Sequence, residues 1–383
     1  MSISVYINGM GAFLPNEPVD NTQIENVLGL INGKPSRAKK MVLRNNAIKT
    51  RYYAINPANG SMTHTNVELT VEAINALVKN SGFDLNQLDC LACGTSGPDQ
   101  MIPNHALMVH GALGNKPCEV IATSGVCCSG VAAFKYAYMN VSLGFARNAV
   151  VTGSEQVSSI LRGQYFQPEI DAQIARLDDK PIVGFERDFL RWMLSDAAGA
   201  ALIENKPNEN SISLRVDWVD YISFANELET CMYEACIKLE DGTVQSWRHV
   251  NNIKDAFEEG YFDLSQDVKL LGENIIRMGQ RGLKNVKEKY NLDSDKIDWF
   301  LPHISSGYFK KDLGLQMEEI GIFIPQERWF TNLEYKGNTG AASIWIMLEE
   351  LFNSGRLEKG QKIFCIIPES ARFSYAYMHL TVV

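Results

Sequence analysis

Two adjacent cysteines, Cys127 and Cys128, stand where a β-branched run from Glu119 to Thr123 meets a turn of small residues and a helix opens on Ser129, Gly130 and Val131. A thiol at the first turn of a helix faces unpaired N–H groups and the positive end of the helix dipole, both of which favour the thiolate. That spacing offers a nucleophile. It also suits two small buried apolar side chains, the commoner fate of free cysteine, and this stretch alone leaves both readings open. Two more residues complete a chemical set. His303 follows Pro302 at the end of an apolar run, and Asn338 sits between Gly337 and Thr339 ahead of a small-residue helix start. Taken singly, such a histidine is more often structural and such an asparagine more often a helix N-cap. Taken with Cys128 they suit acyl transfer, because cysteine exchanges one thioester for another with little change in bond energy. A neutral His Nε2–H and an Asn amide N–H are both donors, able to hold an enolate oxygen in a dry site. Asn cannot act as a base, so the pairing argues for carbon–carbon bond formation over hydrolysis. The Cys128 backbone N–H would then serve the attacked thioester carbonyl.

The elements that must position these residues alternate between strand and helix. The opening residues, Met1 to Gly9, read as a strand, followed by a polar helix over Asn21 to Leu30. Apolar residues at helical spacing (Leu69, Ala73, Ala76, Leu77) predict a helix from Val67 to Asn80 that stops at Gly82. A strand from Leu88 to Gly94, a helix around Asn104 to Leu113, the central strand and helix, and strands at Ala149 to Gly153 and Asp196 to Ile203 give a layered α/β domain. Residues 155–192 interrupt the alternation with aromatics (Tyr165, Phe166, Phe185, Phe189, Trp192) that line a pocket or cover the core, and 218–262 reads as a second surface excursion.

The second half echoes the first. The run from Phe83 to Gly94, which follows a helix, is matched by Leu292 to His303, which also follows one. Thirty-nine residues separate Asp89 from Cys128 and forty separate Asp298 from Asn338, and each endpoint precedes a small-residue helix start. A duplicated α/β unit puts Cys128 and Asn338 at equivalent strand-to-helix turns, with His303 at the end of a neighbouring strand.

The whole chain sets bounds on this reading. With 383 residues, 45% hydrophobic and 21% charged, the composition is that of a globular protein with a large core. No apolar run approaches a membrane helix and no basic leader precedes the first strand, so a cytoplasmic location is expected. Eight cysteines fit reduced thiols, with Cys90, Cys93, Cys118 and Cys365 on apparent buried strands and no second pair at zinc spacing, so no metal is expected. A net charge of −9 argues against nucleic acid. Five cations in the 13 residues from Lys39 to Arg51 (Lys39, Lys40, Arg44, Lys49, Arg51) form either a solvated face or a docking face.

Through Arg44 to Arg51, Cys128-Ser-Gly130, Leu194 to Ala200, Pro302-His303 and Gly337 to Ser343, the chain resembles the thiolase-like condensing enzymes, most closely the β-ketoacyl-acyl-carrier-protein synthase III group. The resemblance implies an α/β, five-layered αβαβα fold of two duplicated halves, 1–205 carrying the nucleophile and the 155–192 pocket insertion, and 206–383 carrying histidine and asparagine. It implies a homodimer and a triad of Cys128, His303 and Asn338, the Cys-x-Gly pattern selecting Cys128 over Cys127. It also implies acyl thioester substrates on acyl carrier protein, with no cofactor beyond the phosphopantetheine arm or coenzyme A as carrier, and a place in fatty-acid-like, aryl-lipid or polyketide biosynthesis. Arg44, Arg51, Phe185, Phe189, Glu369 and Arg372 are the candidate substrate-binding residues.

The chain departs from that pattern in ways that bear on substrate. Asp20 to Asn26 has no tryptophan for a coenzyme A adenine, the residue after the histidine motif that serves docking in the family is Tyr308, followed by Lys310 and Lys311, and the C-terminal glycine-rich loop is replaced by Pro368 to Phe373. Glu369 and Arg372 there form either a structural ion pair or a base or orienting group for an extra step. The leading reading is a condensing acyltransferase. The alternatives are acyl transfer to oxygen or nitrogen, dialkylresorcinol-type condensation and cyclisation, and a non-catalytic partner subunit.

Overall fold

The computed structural model describes residues 3–31, 33–36, 38–166 and 189–383. Nine strands build one sheet: β1 (Tyr6–Phe13), β2 (Cys90–Thr95), β3 (Glu119–Ser124), β4 (Asn148–Glu155), β5 (Ala197–Glu204), β6 (Leu214–Ser223), β7 (Trp299–Pro302), β8 (Lys362–Glu369) and β9 (Ser374–Val382), in the order β7-β8-β9-β6-β1-β5-β4-β2-β3. The order reads alike in both directions from the short β1–β6 junction. Outward from β1 the pairings are antiparallel to β5, antiparallel to β4, parallel to β2 and parallel to β3. Outward from β6 they are antiparallel to β9, antiparallel to β8 and parallel to β7, and a parallel bridge from Phe300 to Trp329 stands where β3 would be.

Seven helices matter for the site: α1 (Lys39–Asn46), α2 (Asn66–Ser81), α3 (His105–Leu113), α4 (Ser129–Ser142), α5 (Val268–Tyr290), α6 (Lys310–Glu319) and α7 (Ser343–Phe352). Their ends follow from local chemistry. Thr65 and Glu68 form a reciprocal capping box at the start of α2, and Gly82 ends it in the left-handed region at φ 70°. The layers follow from alternation along the strands. On β8, Ile363, Cys365 and Ile367 face a central cluster with Phe134 of α4 and Trp345 of α7, whereas Phe364 and Ile366 face a second cluster with Leu271, Met278 and Leu283 of α5. Leu91 and Cys93 of β2 likewise turn away from the centre toward Leu69 and Leu77 of α2. The result is the five-layered α/β arrangement, with α4 and α7 in the middle layer. They lie close: a Cβ on Gly130 would sit 2.5 Å from Trp345 Nε1 and 2.9 Å from the Ala341 carbonyl oxygen.

Most expected elements form with ends shifted by a few residues, the first strand beginning at Tyr6 and the polar helix shrinking to Ile24–Leu28. One expectation is corrected. The surface excursion assigned to 218–262 opens inside the central sheet, because Leu214–Ser223 is a ten-residue strand. Its polar side chains are satisfied by partners far along the chain: Asp217 accepts from Thr381 Oγ1 at 2.6 Å and meets His379 Nδ1 at 2.7 Å, and Asp220 pairs with Lys289 at 2.9 Å. No helix among the described residues is long and apolar enough to cross a membrane.

Candidate active site

Cys128 is the N-cap of α4, reached from β3 through Gly125, whose φ is 149°, and it is fully buried. Its side chain makes no cap. The thiol donates instead to the Ile367 carbonyl of β8 at 3.1 Å, and its backbone N–H, with that of Val126, donates to one oxygen of Glu369 at 3.1 and 3.0 Å. Ile367 and Glu369 are two apart on β8, so one end of one strand addresses both the sulfur and the amide of the same cysteine.

These contacts correct two expectations. Burial, and after it the Glu369 carboxylate, pushes the Cys128 pKa well above the ordinary thiol range, so the resting group is a thiol despite the helix terminus. The Cys128 N–H expected to await a thioester oxygen is already held by Glu369. The Glu369–Arg372 ion pair is not formed, since Arg372 is exposed and its Nε donates to the Leu228 carbonyl at 3.1 Å. Cys127, buried in the central cluster, has its pKa raised by burial and then by Glu369 and Glu155.

His303 follows β7 and is 3% exposed. Its backbone N–H donates to the Ile366 carbonyl at 2.8 Å, so histidine and cysteine are bonded to adjacent residues of β8. Its Nε2 is buried without a partner among the described residues, and burial lowers its pKa to about 4, leaving a neutral ring. Asn338 is buried at the corresponding turn ahead of α7. Its Oδ1 accepts from the Gly340 N–H at 3.1 Å in a local turn, but the N-caps that follow are Thr339 and Ala342, so the capping role expected for Asn338 does not hold. Its backbone is clamped on both sides, its N–H donating to Met193 at 3.0 Å and its carbonyl accepting from Ser195 at 2.9 Å.

Behind Asn338 lies Glu155, the last residue of β4, which the motif search did not single out. It is 4% exposed, accepts from the Ala341 N–H at 3.0 Å and from Ser96 Oγ, and burial pushes its pKa up to about 7. Asp196 is equally enclosed, accepting from the N–H groups of Ala54 at 2.7 Å and Ser158 at 2.8 Å, with a pKa raised by burial to about 6. A hint was available in the sequence: both carboxylates adjoin runs of alanine, glycine and serine too small to shield them in a surface strand.

The remaining candidates divide. Arg51 is fully buried and donates to the Trp192 carbonyl and, at 2.7 Å, to Asn21 Oδ1, so it braces the turn ahead of Leu194, which bridges to Asn338. Arg44 is exposed on α1. Phe189 is partly buried between two clusters, and Phe185, with most of the 155–192 insertion, lies outside the described residues.

The strand-to-helix cysteine, the neutral histidine and the clamped asparagine stand on a duplicated five-layered scaffold, which is the fold of the thiolase-like condensing enzymes. Residues 288–366, which include His303 and Asn338, match the family described as 3-oxoacyl-[acyl-carrier-protein] synthase III, C terminal. Over 366 residues the chain is 24% identical to the β-ketoacyl-[acyl-carrier-protein] synthase III of Clostridium perfringens, covering 94% of this chain and 93% of that one. The solved structure of the synthase III of Thermus thermophilus superposes with a TM-score of 0.70 at 21% identity, covering 98% of both chains. A tetronic acid condensing enzyme, AbyA1, superposes at 0.74 with 18% identity, covering 98% of this chain and 99% of that one. Across almost its whole length, this chain is similar to the β-ketoacyl-acyl-carrier-protein synthases III.

Proposed function

We propose that this chain joins acyl groups delivered as thioesters on an acyl carrier protein, forming a carbon–carbon bond through an acyl group held on Cys128. The observation that carries the reading is the bonding of the Cys128 thiol and the His303 backbone N–H to adjacent residues of β8, with the buried His303 Nε2 meeting no partner among the described residues. In this reading Cys128 takes the first acyl group, and the Nε2–H tautomer of His303 with the Asn338 amide holds the enolate oxygen of the second thioester. The phosphopantetheine arm is carrier only; no resident cofactor takes part.

The carrier protein docks on α1 and the start of α6. Gly307 packs on Ala47, which brings exposed Lys40, Arg44, Tyr308 and Lys311 into one area. Lys39 and Lys49 contribute less, being paired with Glu25 at 2.8 Å and with Glu334. Two copies of the chain associate along the partly exposed edge strand β3, beside exposed Met101, Ile102, Leu107 and Met108.

Intact-mass spectrometry after incubation with acyl-carrier-protein thioesters of graded chain length tests the reading: a stoichiometric adduct on Cys128, absent in Cys128→Ala and present in Cys127→Ala, is expected. No adduct at any chain length overturns it. Product analysis with the second thioester then separates condensation from acyl transfer to oxygen or nitrogen, since only condensation makes a new carbon–carbon bond.

A further inference from the structure

Resting on the acyl-Cys128 reading, we infer that Glu369 is the proton acceptor for Cys128 and, by holding the Val126 and Cys128 N–H groups until it is protonated, keeps the oxyanion site closed until the thiol has given up its proton. The two N–H groups converge on a single carboxylate oxygen, the arrangement that a tetrahedral oxyanion also requires. A side chain at position 125 would crowd that oxygen, since a Cβ there would lie 3.4 Å from it. Glu369 is 7% exposed and is delivered by a rigid hairpin whose turn residue Phe373 is fully buried at φ 57°, a region bulky residues rarely adopt.

Other groups are poorer acceptors. The buried His303 ring resists a second proton. Besides the two amides, the titratable groups facing Glu369 are Cys127, Cys128 and Tyr221, and Tyr221 has its own pKa raised by burial, Cys128 and Glu369. Burial lifts the Glu369 pKa against the pull of the two N–H bonds, which makes the carboxylate a better base than an exposed one.

The step balances. The Cys128 proton passes to Glu369 while the sulfur electron pair forms the bond to the thioester carbon and the carbonyl electrons move onto oxygen. The neutral carboxylic acid releases Val126 and Cys128 N–H to that oxyanion. Collapse breaks the bond to the leaving thiolate, which takes the proton from Glu369 and departs as a free thiol, and the carboxylate returns to the two amides.

The experiment is the rate of acyl-adduct formation on the full chain by intact mass. In Glu369→Gln and Glu369→Ala the rate is expected to fall roughly 100-fold or more, and millimolar acetate is expected to restore part of it in Glu369→Ala. A carboxylate that only plugs the site predicts the opposite, faster acylation in Glu369→Ala; that result, an unchanged rate, or no response to acetate overturns the inference. Should both neutral variants fail to fold, the wild type decides, because its rate must fall as the pH is lowered through the titration of the carboxylate, with an acidic limb that moves in Glu369→Asp, and a flat profile overturns it. A wild type that forms no adduct refutes the acyl-Cys128 reading instead.

Discussion

Glu155 and Glu369 end two eight-residue strands, β4 and β8, that occupy equivalent places in the two halves of the sheet, and each carboxylate crosses to the helix turn of the other half. Glu155 binds the Ala341 N–H behind Asn338; Glu369 binds the N–H groups of Val126 and Cys128. The difference lies in what else they meet. Glu155 also accepts from Ser96 and lies under Gly340, where a Cβ would sit 2.7 Å from its Cγ, so it is enclosed and fixed. Glu369 is bound by backbone amides of the Cys128 turn and, among the described residues, by no side chain. The same strand end thus serves as a strut in one half and meets the Cys128 turn in the other.

The largest effect expected from breaking that pairing of turns falls on the second step. His303→Ala and Asn338→Ala should still form the acyl adduct on Cys128 but lose condensation by roughly 100- to 1,000-fold, as when an oxyanion donor is removed. Adduct mass and product chromatography on the same samples check this; loss of the adduct itself in either variant would move the residue to the first step.

The next effect sharpens the contrast between the glutamates. The Glu155 carboxyl titrates near 7 in the folded chain against an ordinary 4.5, so between those values the native state binds a proton that the unfolded state lacks. Stability therefore falls as pH rises through that window, by roughly 3 kcal/mol in all. Glu155→Gln should flatten this dependence, seen as a Tm advantage over wild type that grows from about pH 4.5 to about pH 8, while its acylation rate keeps the wild-type pH profile. An acylation profile that follows Glu155 would dissolve the division between strut and base.

The smallest effect concerns delivery of substrate. Charge reversal at Lys40, Arg44 and Lys311 should raise the carrier-protein KM roughly several-fold with kcat unchanged and with a reduced dependence on salt. Equal KM values in wild type and variant would remove this face from docking.

Much of the scaffold was legible because it rests on short-range rules. The apolar spacing of Leu69, Ala73 and Leu77 marked a helix, Gly82 its end, and the paired spacings of Asp89 to Cys128 and Asp298 to Asn338 marked two equivalent turns. Strand Leu214–Ser223 was misread for the converse reason. Asp217 and Asp220 look like surface residues until His379, Thr381 and Lys289 arrive from far along the chain to pair with them.

By itself, the sequence determined the alternation of elements, the duplication and the identity of the cysteine, histidine and asparagine turns, because periodicity and helix starts are written in neighbouring residues. The protonation and contacts of Cys128 were decided only in the tertiary structure. A helix terminus alone predicts a thiolate, but folding buries the sulfur and brings Glu369 to it across 241 positions of sequence. Burial and an adjacent like charge both penalise the anion, and they outweigh the dipole that the local sequence announces.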